Sequence, residues 1–62
     1  MKGIVKFYDE ARGFGFVIEQ ETKKEYFMHA TNLLSEVNEN DQVSFELAEG
    51  KRGLAAVQVE II

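Results

Sequence analysis

The amino-acid sequence predicts a small all-β barrel of five strands. Turn signals divide the 62 residues into five short apolar runs, and no proline or repeat interrupts them. The fourth run alternates apolar and polar side chains with the period of two that a strand requires. A chain of this length forms a single domain, so we expect residues 1–62 to fold around one core.

The first three strands follow from the first half of the chain. We expect strand one over residues 2–9, a turn over residues 10–13, and strand two over residues 14–19. The polar residues 20–23 form a hairpin turn, and strand three then covers residues 24–29.

Residues 30–40 break the strand pattern before the last two strands. Leu33, Leu34 and Val37 stand among polar residues there, which indicates a loop. Thr31 and Asn32 are placed to cap one short helical turn within it.

The last two strands form a second hairpin. Strand four covers residues 42–49, and strand five covers about residues 55–61. The turn between them reads Gly50-Lys51-Arg52-Gly53, where Lys51 and Arg52 are expected to be ordinary solvated turn residues.

The alternation of each strand selects an inward set that can fold the domain without most of its phenylalanines. Each large side chain contributes roughly 1.5–3 kcal/mol when fully buried, which can offset the ordering entropy of the chain. Phe14, Phe16 and Phe27 are not needed for this core and are expected outside it. The predicted inward residues are Val5, Val17, Tyr26, Met28, Leu33, Val43, Phe45, Leu47, Val57, Val59 and Ile61.

Aromatic residues on strands two and three form the candidate site. Phe14 and Phe16 flank Gly15, so both lie on one face of strand two, and Phe27 and His29 share a face of strand three in the same way. A row of exposed rings on a sheet is the surface on which unpaired nucleobases stack. A bulge in strand one would change the face on which Phe7 lies, and Tyr8 fits either the rim of this surface or the edge of the core.

Two glycines and one histidine belong to the same region. Gly13 and Gly15 allow a tight turn and the close approach of another strand behind the rings. His29 could stack on a base or hydrogen-bond to it. It has no cysteine or carboxylate cluster around it, so we expect neither a metal site nor a cofactor, and an enzyme is the least favoured class.

The charge distribution is the main evidence against a polyanionic ligand. The formal net charge is -4, whereas phosphate binding usually draws on a basic field. Lys6 and Arg12 lie near the early aromatics and are expected to contact phosphates or bases. Glu19, Glu21 and Glu25 are expected to form a solvated edge that repels phosphate.

Composition also bears on compartment and partners. The chain has no cysteine and no segment with the pattern of a signal peptide or membrane span, which fits a cytoplasmic protein that binds neither membranes nor a small-molecule substrate. Ile61 and Ile62 either pack inside the barrel or leave an apolar edge for a second copy, so a monomer is expected and a dimer stays possible.

Three segments together resemble the bacterial cold-shock proteins over essentially the whole chain. They are Lys6-Phe7-Tyr8-Asp9, Arg12-Gly13-Phe14-Gly15-Phe16-Val17 and Tyr26-Phe27-Met28-His29, which look like the first strand and the two ribonucleoprotein motifs of that family. The resemblance implies a five-stranded antiparallel OB-type barrel that binds single-stranded RNA and DNA, with RNA chaperone activity in many members. The residues it carries over as nucleic-acid contacts are Lys6, Phe7, Arg12, Phe14, Phe16, Phe27 and His29.

The chain departs from that family at two stacking positions. Phe7 stands where the family usually has tryptophan, and Ala30 stands where it usually has another phenylalanine. The loop over residues 30–40 is shorter than usual and lacks an aromatic residue.

Base stacking sets the expected affinity. Each stacked base contributes about 1–3 kcal/mol, so three or four stacks give on the order of 3–12 kcal/mol before ordering costs. We therefore expect micromolar or somewhat tighter binding, and about three neutralised phosphates would give a salt slope of about -2. The alternative function is a protein-interaction module in which the same aromatic face docks a basic partner.

Overall fold

The computed structural model contains five strands and one short 3-10 turn, and it describes residues 1–50 and 53–62. Lys51 and Arg52 of the predicted turn lie outside the described residues. The elements are β1 (Lys2–Asp9), β2 (Phe14–Glu19), β3 (Glu25–His29), the 3-10 turn (Ala30–Asn32), β4 (Gln42–Gly50) and β5 (Gly53–Ile61). The predicted bounds of β1 and β2 are confirmed, and those of the other three strands differ by one or two residues.

The strands close into a barrel in the order β1-β2-β3-β5-β4. This confirms the all-β five-stranded barrel, with one correction to the expected antiparallel arrangement. β3 and β5 run parallel, and Phe27 pairs with Ala55 and Met28 with Ala56. A closed ring of five strands cannot alternate direction throughout because five is odd, so one neighbouring pair has to be parallel.

A bulge in β1 determines which face its aromatic residue occupies. Val5 lies opposite Val17, but Phe7 rather than Lys6 lies opposite Phe16, so β1 holds one extra residue at this point. Because side chains alternate along a strand, the extra residue moves Phe7 from the inner face to the outer face. Val5 is fully buried, whereas Phe7 is only half-buried.

A second bulge, in β5, corrects the predicted inward set. Ser44 lies opposite Glu60 and Glu46 lies opposite Val57, so β5 contains one residue more than β4 over this stretch. Gln58 lies within this bulge and has a positive φ of 51°. The prediction that Val57 is buried is therefore wrong, and Ala56 takes its place beside Val59 in the core.

The core fills the inside of the barrel with eight buried side chains. Tyr8, Tyr26, Leu33 and Leu47 pack around these at partial burial, so Tyr8 lies at the edge of the core. Ile61 was expected inside but is 40% exposed, because it lies at the end of the last strand. The buried set is Val5, Val17, Met28, Val37, Val43, Phe45, Ala56 and Val59.

The 3-10 turn after β3 is capped differently from the prediction. The side chain of His29 accepts a hydrogen bond from the Thr31 backbone N–H, so His29, and not Thr31 or Asn32, is the capping residue. Within residues 1–50 and 53–62, no helix has the length and apolar character needed to cross a membrane.

Candidate nucleic-acid interface

The outer face of the β1–β2–β3 sheet brings the predicted aromatic residues into two neighbouring rows. Phe7, Phe16 and Phe27 lie directly opposite one another across the three strands. In the next row, Phe14 lies between Asp9 and His29. We call Phe7, Phe14, Phe16, Phe27 and His29 the ring face.

The four phenylalanines of the ring face contact one another in a closed circuit. The ring centroids of Phe7 lie 6.1 Å from Phe14 and 5.6 Å from Phe16. Those of Phe27 lie 5.9 Å from both Phe14 and Phe16. His29 joins the circuit at 6.4 Å from Phe27. Aromatic pairs at these separations hold each other in place, so the surface is arranged before any ligand arrives.

Each phenylalanine of the ring face is half-buried, and His29 is exposed. The rings therefore rest partly on the sheet and on each other while the rest of their surface meets solvent. This separates them from Phe45, which is 1% exposed inside the barrel. The prediction that the core does not need Phe14, Phe16 and Phe27 agrees with this division.

Gly15 is required on the reverse side of the ring face. It points inward opposite Tyr8, and a Cβ atom at this position would collide with the Phe7 carbonyl oxygen and would lie 2.9 Å from the Tyr8 Cα. β1 can therefore lie close beside β2 at the position between Phe14 and Phe16. Gly13, with a φ of 75°, lies in the turn that leads into β2.

The imidazole of His29 has a defined orientation. Its Nδ1 accepts a hydrogen bond from the Thr31 backbone N–H at 3.2 Å and lies 3.0 Å from the Thr31 Oγ1. Because Nδ1 acts as an acceptor, the neutral ring carries its hydrogen on Nε2. His29 therefore combines a flat face with a hydrogen-bond donor at the margin of the phenylalanine circuit.

An ion pair lies at each end of the ring face. Lys6 Nζ lies 3.1 Å from both carboxylate oxygens of Glu25, which occupies the outer face of β3 two residues before Phe27. At the other end, Arg12 Nε lies 3.7 Å from Asp9 Oδ2. Both basic residues that were expected to contact phosphate are thus already partnered within the protein.

Of the three acidic residues expected at a solvated edge, Glu21 and Glu25 are exposed and Glu19 is not. Glu19 is buried, because the alternation of β2 turns it inward with Gly15 and Val17. Its carboxylate accepts hydrogen bonds from the Glu21 backbone N–H and the Thr22 hydroxyl, so it stabilises the turn between β2 and β3. Glu25 and Asp9 lie beside the ring face and pair with Lys6 and Arg12, a pairing that sequence reasoning missed.

An apolar groove adjoins the ring face on the side of β5. It has a volume of about 320 Å³ and is lined by Phe27, His29 and Leu54 among others. Leu54 is 52% exposed there. Sequence reasoning did not select Leu54, because nothing in the strand pattern separates it from the core residues of β5. In the described part of the chain, no group of three or more histidine and acidic side chains is placed to hold a metal ion.

The chain is similar to known proteins over its whole length. Residues 1–62 match the family model described as the 'Cold-shock' DNA-binding domain. The cold shock-like protein CspG of Escherichia coli is 38% identical over 63 residues, which cover 95% of this chain and 90% of CspG. The cold shock-like protein CspC of Shigella flexneri is 38% identical over 66 residues, covering 100% of this chain and 96% of CspC.

A solved structure shares the fold. The structure of Drosophila Unr CSD456 superimposes with a TM-score of 0.75 at 27% identity and covers 98% of this chain. The chain spans only 26% of that longer protein, so the likeness concerns one barrel of it.

Proposed function

This chain belongs to the cold-shock DNA-binding domain family, a family of nucleic-acid binders rather than enzymes, and on that premise we propose that its ring face binds single-stranded RNA or DNA. The observation that carries the proposal is the circuit of four half-buried phenylalanines with His29 at its margin. Such a surface is apolar and already ordered. We further propose that the protein acts in the cytoplasm as an RNA chaperone that keeps short stretches unpaired.

Binding would proceed through stacking of bases on the outer surfaces of the rings. Every base has a π-face, so the contacts tolerate any sequence, and each contributes about 1–3 kcal/mol. Phe7, Phe14, Phe16 and Phe27 provide the stacking surfaces in this proposal, and His29 adds a stack or a hydrogen bond from Nε2. A duplex keeps its bases paired and cannot use these surfaces, which restricts the ligand to single strands.

Rapid release follows from the same contacts. Three or four stacks, less the ordering costs, give micromolar or somewhat tighter binding. A micromolar dissociation constant corresponds to a binding free energy on the order of -8 kcal/mol. Related complexes associate at similar rates and differ mostly in how fast they dissociate. A complex of only micromolar affinity therefore dissociates quickly. A protein that prevents pairing without trapping its ligand needs this combination.

The proposal is tested by titrating a fluorescent pyrimidine-rich oligonucleotide of about eight nucleotides, a length within the range that one OB fold covers. We expect a micromolar dissociation constant at about 50 mM salt and competition by unlabelled strands of unrelated sequence. A dissociation constant weaker than about 100 μM, or roughly -5.5 kcal/mol, would contradict stacking on several rings. The same oligonucleotide annealed to its complement is the control and should compete poorly.

A protein-docking role for the ring face is the outcome that this titration separates. A docking surface would be blocked by its protein partner and left free by oligonucleotides. Shifts of the Phe14, Phe16 and Phe27 ring resonances on adding the oligonucleotide would locate the ligand on the ring face. Shifts confined to other residues would remove it from there.

A further inference from the structure

Two acidic residues lie beside the basic residues that would bind the phosphates of an oligonucleotide on the ring face. Asp9 is in the same cross-strand row as Phe14 and His29. Glu25 is on the outer face of β3, in line with Phe27. Both carboxylates therefore adjoin the ring face, one at each end of it.

Each of these carboxylates holds a basic side chain of the same surface. Glu25 engages Lys6 with both oxygens at 3.1 Å, and this pair is nearly half exposed on each side. Asp9 holds Arg12 twice over, since its Oδ2 lies 3.7 Å from the guanidinium and its Oδ1 accepts the Arg12 backbone N–H at 3.1 Å. Lys6 itself is the extra residue of the β1 bulge that exposes Phe7, and its ammonium reaches Glu25 across β2.

We infer that Glu25 and Asp9 are internal competitors for phosphate, which make the ring face select ligands by their bases and not by their backbone charge. This inference rests on the proposed function and deepens it. Exposed ion pairs are weak, so a phosphate can displace either carboxylate from its basic partner. The displaced carboxylate then has to take up a counterion, which cancels the counterion that the phosphate releases.

The inference therefore predicts a shallow salt dependence. Neutralising one phosphate on a single strand normally contributes about -0.7 to the slope of log K against log salt. Because Lys6 and Arg12 are both held by carboxylates, the wild-type slope should be shallower than about -0.7, whereas two free basic residues would give a slope of about -1.4.

Removing the competing charge should restore ordinary phosphate binding. In Glu25→Gln, Lys6 becomes available, so the slope should steepen by about 0.7 and the affinity should rise about fivefold to tenfold at 50 mM salt. At about 0.5 M salt the gain in affinity should shrink below about twofold, because the variant's steeper slope makes its affinity fall faster with salt than that of the wild type. Asp9→Asn keeps an acceptor for the Arg12 N–H, and the double variant should show about twice the change in slope.

Glu60→Gln is the matched control. Glu60 is an exposed acid on β5, opposite Ser44 of β4, and this substitution changes the net charge equally without touching the ring face. It should leave the slope unchanged and alter the affinity by less than about twofold. Lys6→Gln combined with Glu25→Gln should return the slope to the wild-type value, because the basic side chain that captured the phosphate is gone.

An uncharged backbone supplies the second arm of the test. A methylphosphonate oligonucleotide of the same sequence keeps its bases but has no phosphate charge. The wild-type protein should bind it within about threefold of the natural strand, and the advantage of Glu25→Gln and Asp9→Asn should disappear on it.

Three results would overturn the inference. In the first, Glu25→Gln and Asp9→Asn bind no better than Glu60→Gln at low salt. In the second, either variant binds more weakly, because the carboxylate accepts a hydrogen bond from a base. In the third, the wild-type slope reaches about -1.4, because Lys6 and Arg12 already neutralise phosphates. Each of these results is measured against strands that the wild-type protein does bind, whereas failure of the wild-type protein to bind any single strand contradicts the proposed function itself.

Discussion

The two kinds of phenylalanine in this chain, half-buried on the ring face and sealed inside the barrel, separate binding from stability. Phe14→Ala removes one stacking surface, so we expect a loss of about 1–3 kcal/mol in oligonucleotide binding. The free energy of unfolding should fall by only about 1 kcal/mol, since the lost contacts are those of one ring with its aromatic neighbours. Fluorescence titration and urea unfolding measure the two quantities.

Phe45 provides the comparison for that substitution. It is 1% exposed, so Phe45→Leu should lower the free energy of unfolding by about 0.5–3 kcal/mol while leaving affinity unchanged under conditions where the protein is folded. If Phe14→Ala destabilised the fold by several kcal/mol, its ring would belong to the core.

Position 30 offers a gain of binding. Ala30 follows His29, its N–H bonds to the Gly13 carbonyl at 2.8 Å, and the residue is half-buried beside the turn that leads to Phe14. Ala30→Phe should add a stacking surface at this edge and tighten oligonucleotide binding by about 1–3 kcal/mol. Gln20→Phe, which adds an exposed ring beyond the opposite end of β2, should leave binding unchanged in the same titration.

At the residue scale, sequence reasoning identified the aromatic members of the site but not the state of its charges. Strand alternation places Phe14, Phe16, Phe27 and His29 together, because all four lie on regular stretches of two paired strands. The pairing of Lys6 with Glu25 depends on the distance between β1 and β3 across a third strand. No local pattern encodes that distance, so the sequence places Glu25 in solvent but does not report its ion pair with Lys6.

Among the elements, the two bulges mark where prediction from the sequence fails. A strand's residue types indicate its limits, and the limits of β1 and β2 follow from them. The extra residue at Lys6 or Gln58 depends on how a strand pairs with both of its neighbours. It reverses which of the following side chains in that strand point inward. The error over Val57 and the open question over Phe7 both have this origin.

The parallel contact between β3 and β5 is the shortest ladder of the barrel. It joins only Phe27 to Ala55 and Met28 to Ala56, whereas β1 and β2 are joined at six positions. We expect β5 amides near this contact to exchange with deuterium faster than those of β2, because local opening follows the weakest packing. Phe27 belongs both to this ladder and to the ring face, so an oligonucleotide should slow that exchange, as hydrogen-exchange NMR would detect. Unchanged exchange in the presence of saturating ligand would mean that binding does not involve β3.

For the whole molecule, the closed barrel was predictable, but the strand pair that closes it was not. Five apolar runs in 62 residues leave little choice beyond a small closed sheet, and the order of the hairpins follows from short turns. The barrel has five strands, so one neighbouring pair has to be parallel, but the sequence does not show that this pair is β3 and β5. That closure brings residues 27 and 55 together across the loop after β3, a long-range contact that periodicity alone does not report.

The ion pairs at the two ends of the ring face also govern how the protein would meet its ligand. With no strong field to draw in a polyanion, encounters would occur at the ordinary diffusional rate of about 10⁵–10⁷ M⁻¹s⁻¹ instead of the steered rates of basic proteins. Double-stranded DNA, which attracts basic proteins along its entire length, would hold few copies of this one. The pool of free protein would therefore respond to the abundance of exposed bases, and would be insensitive to the total amount of nucleic acid around it.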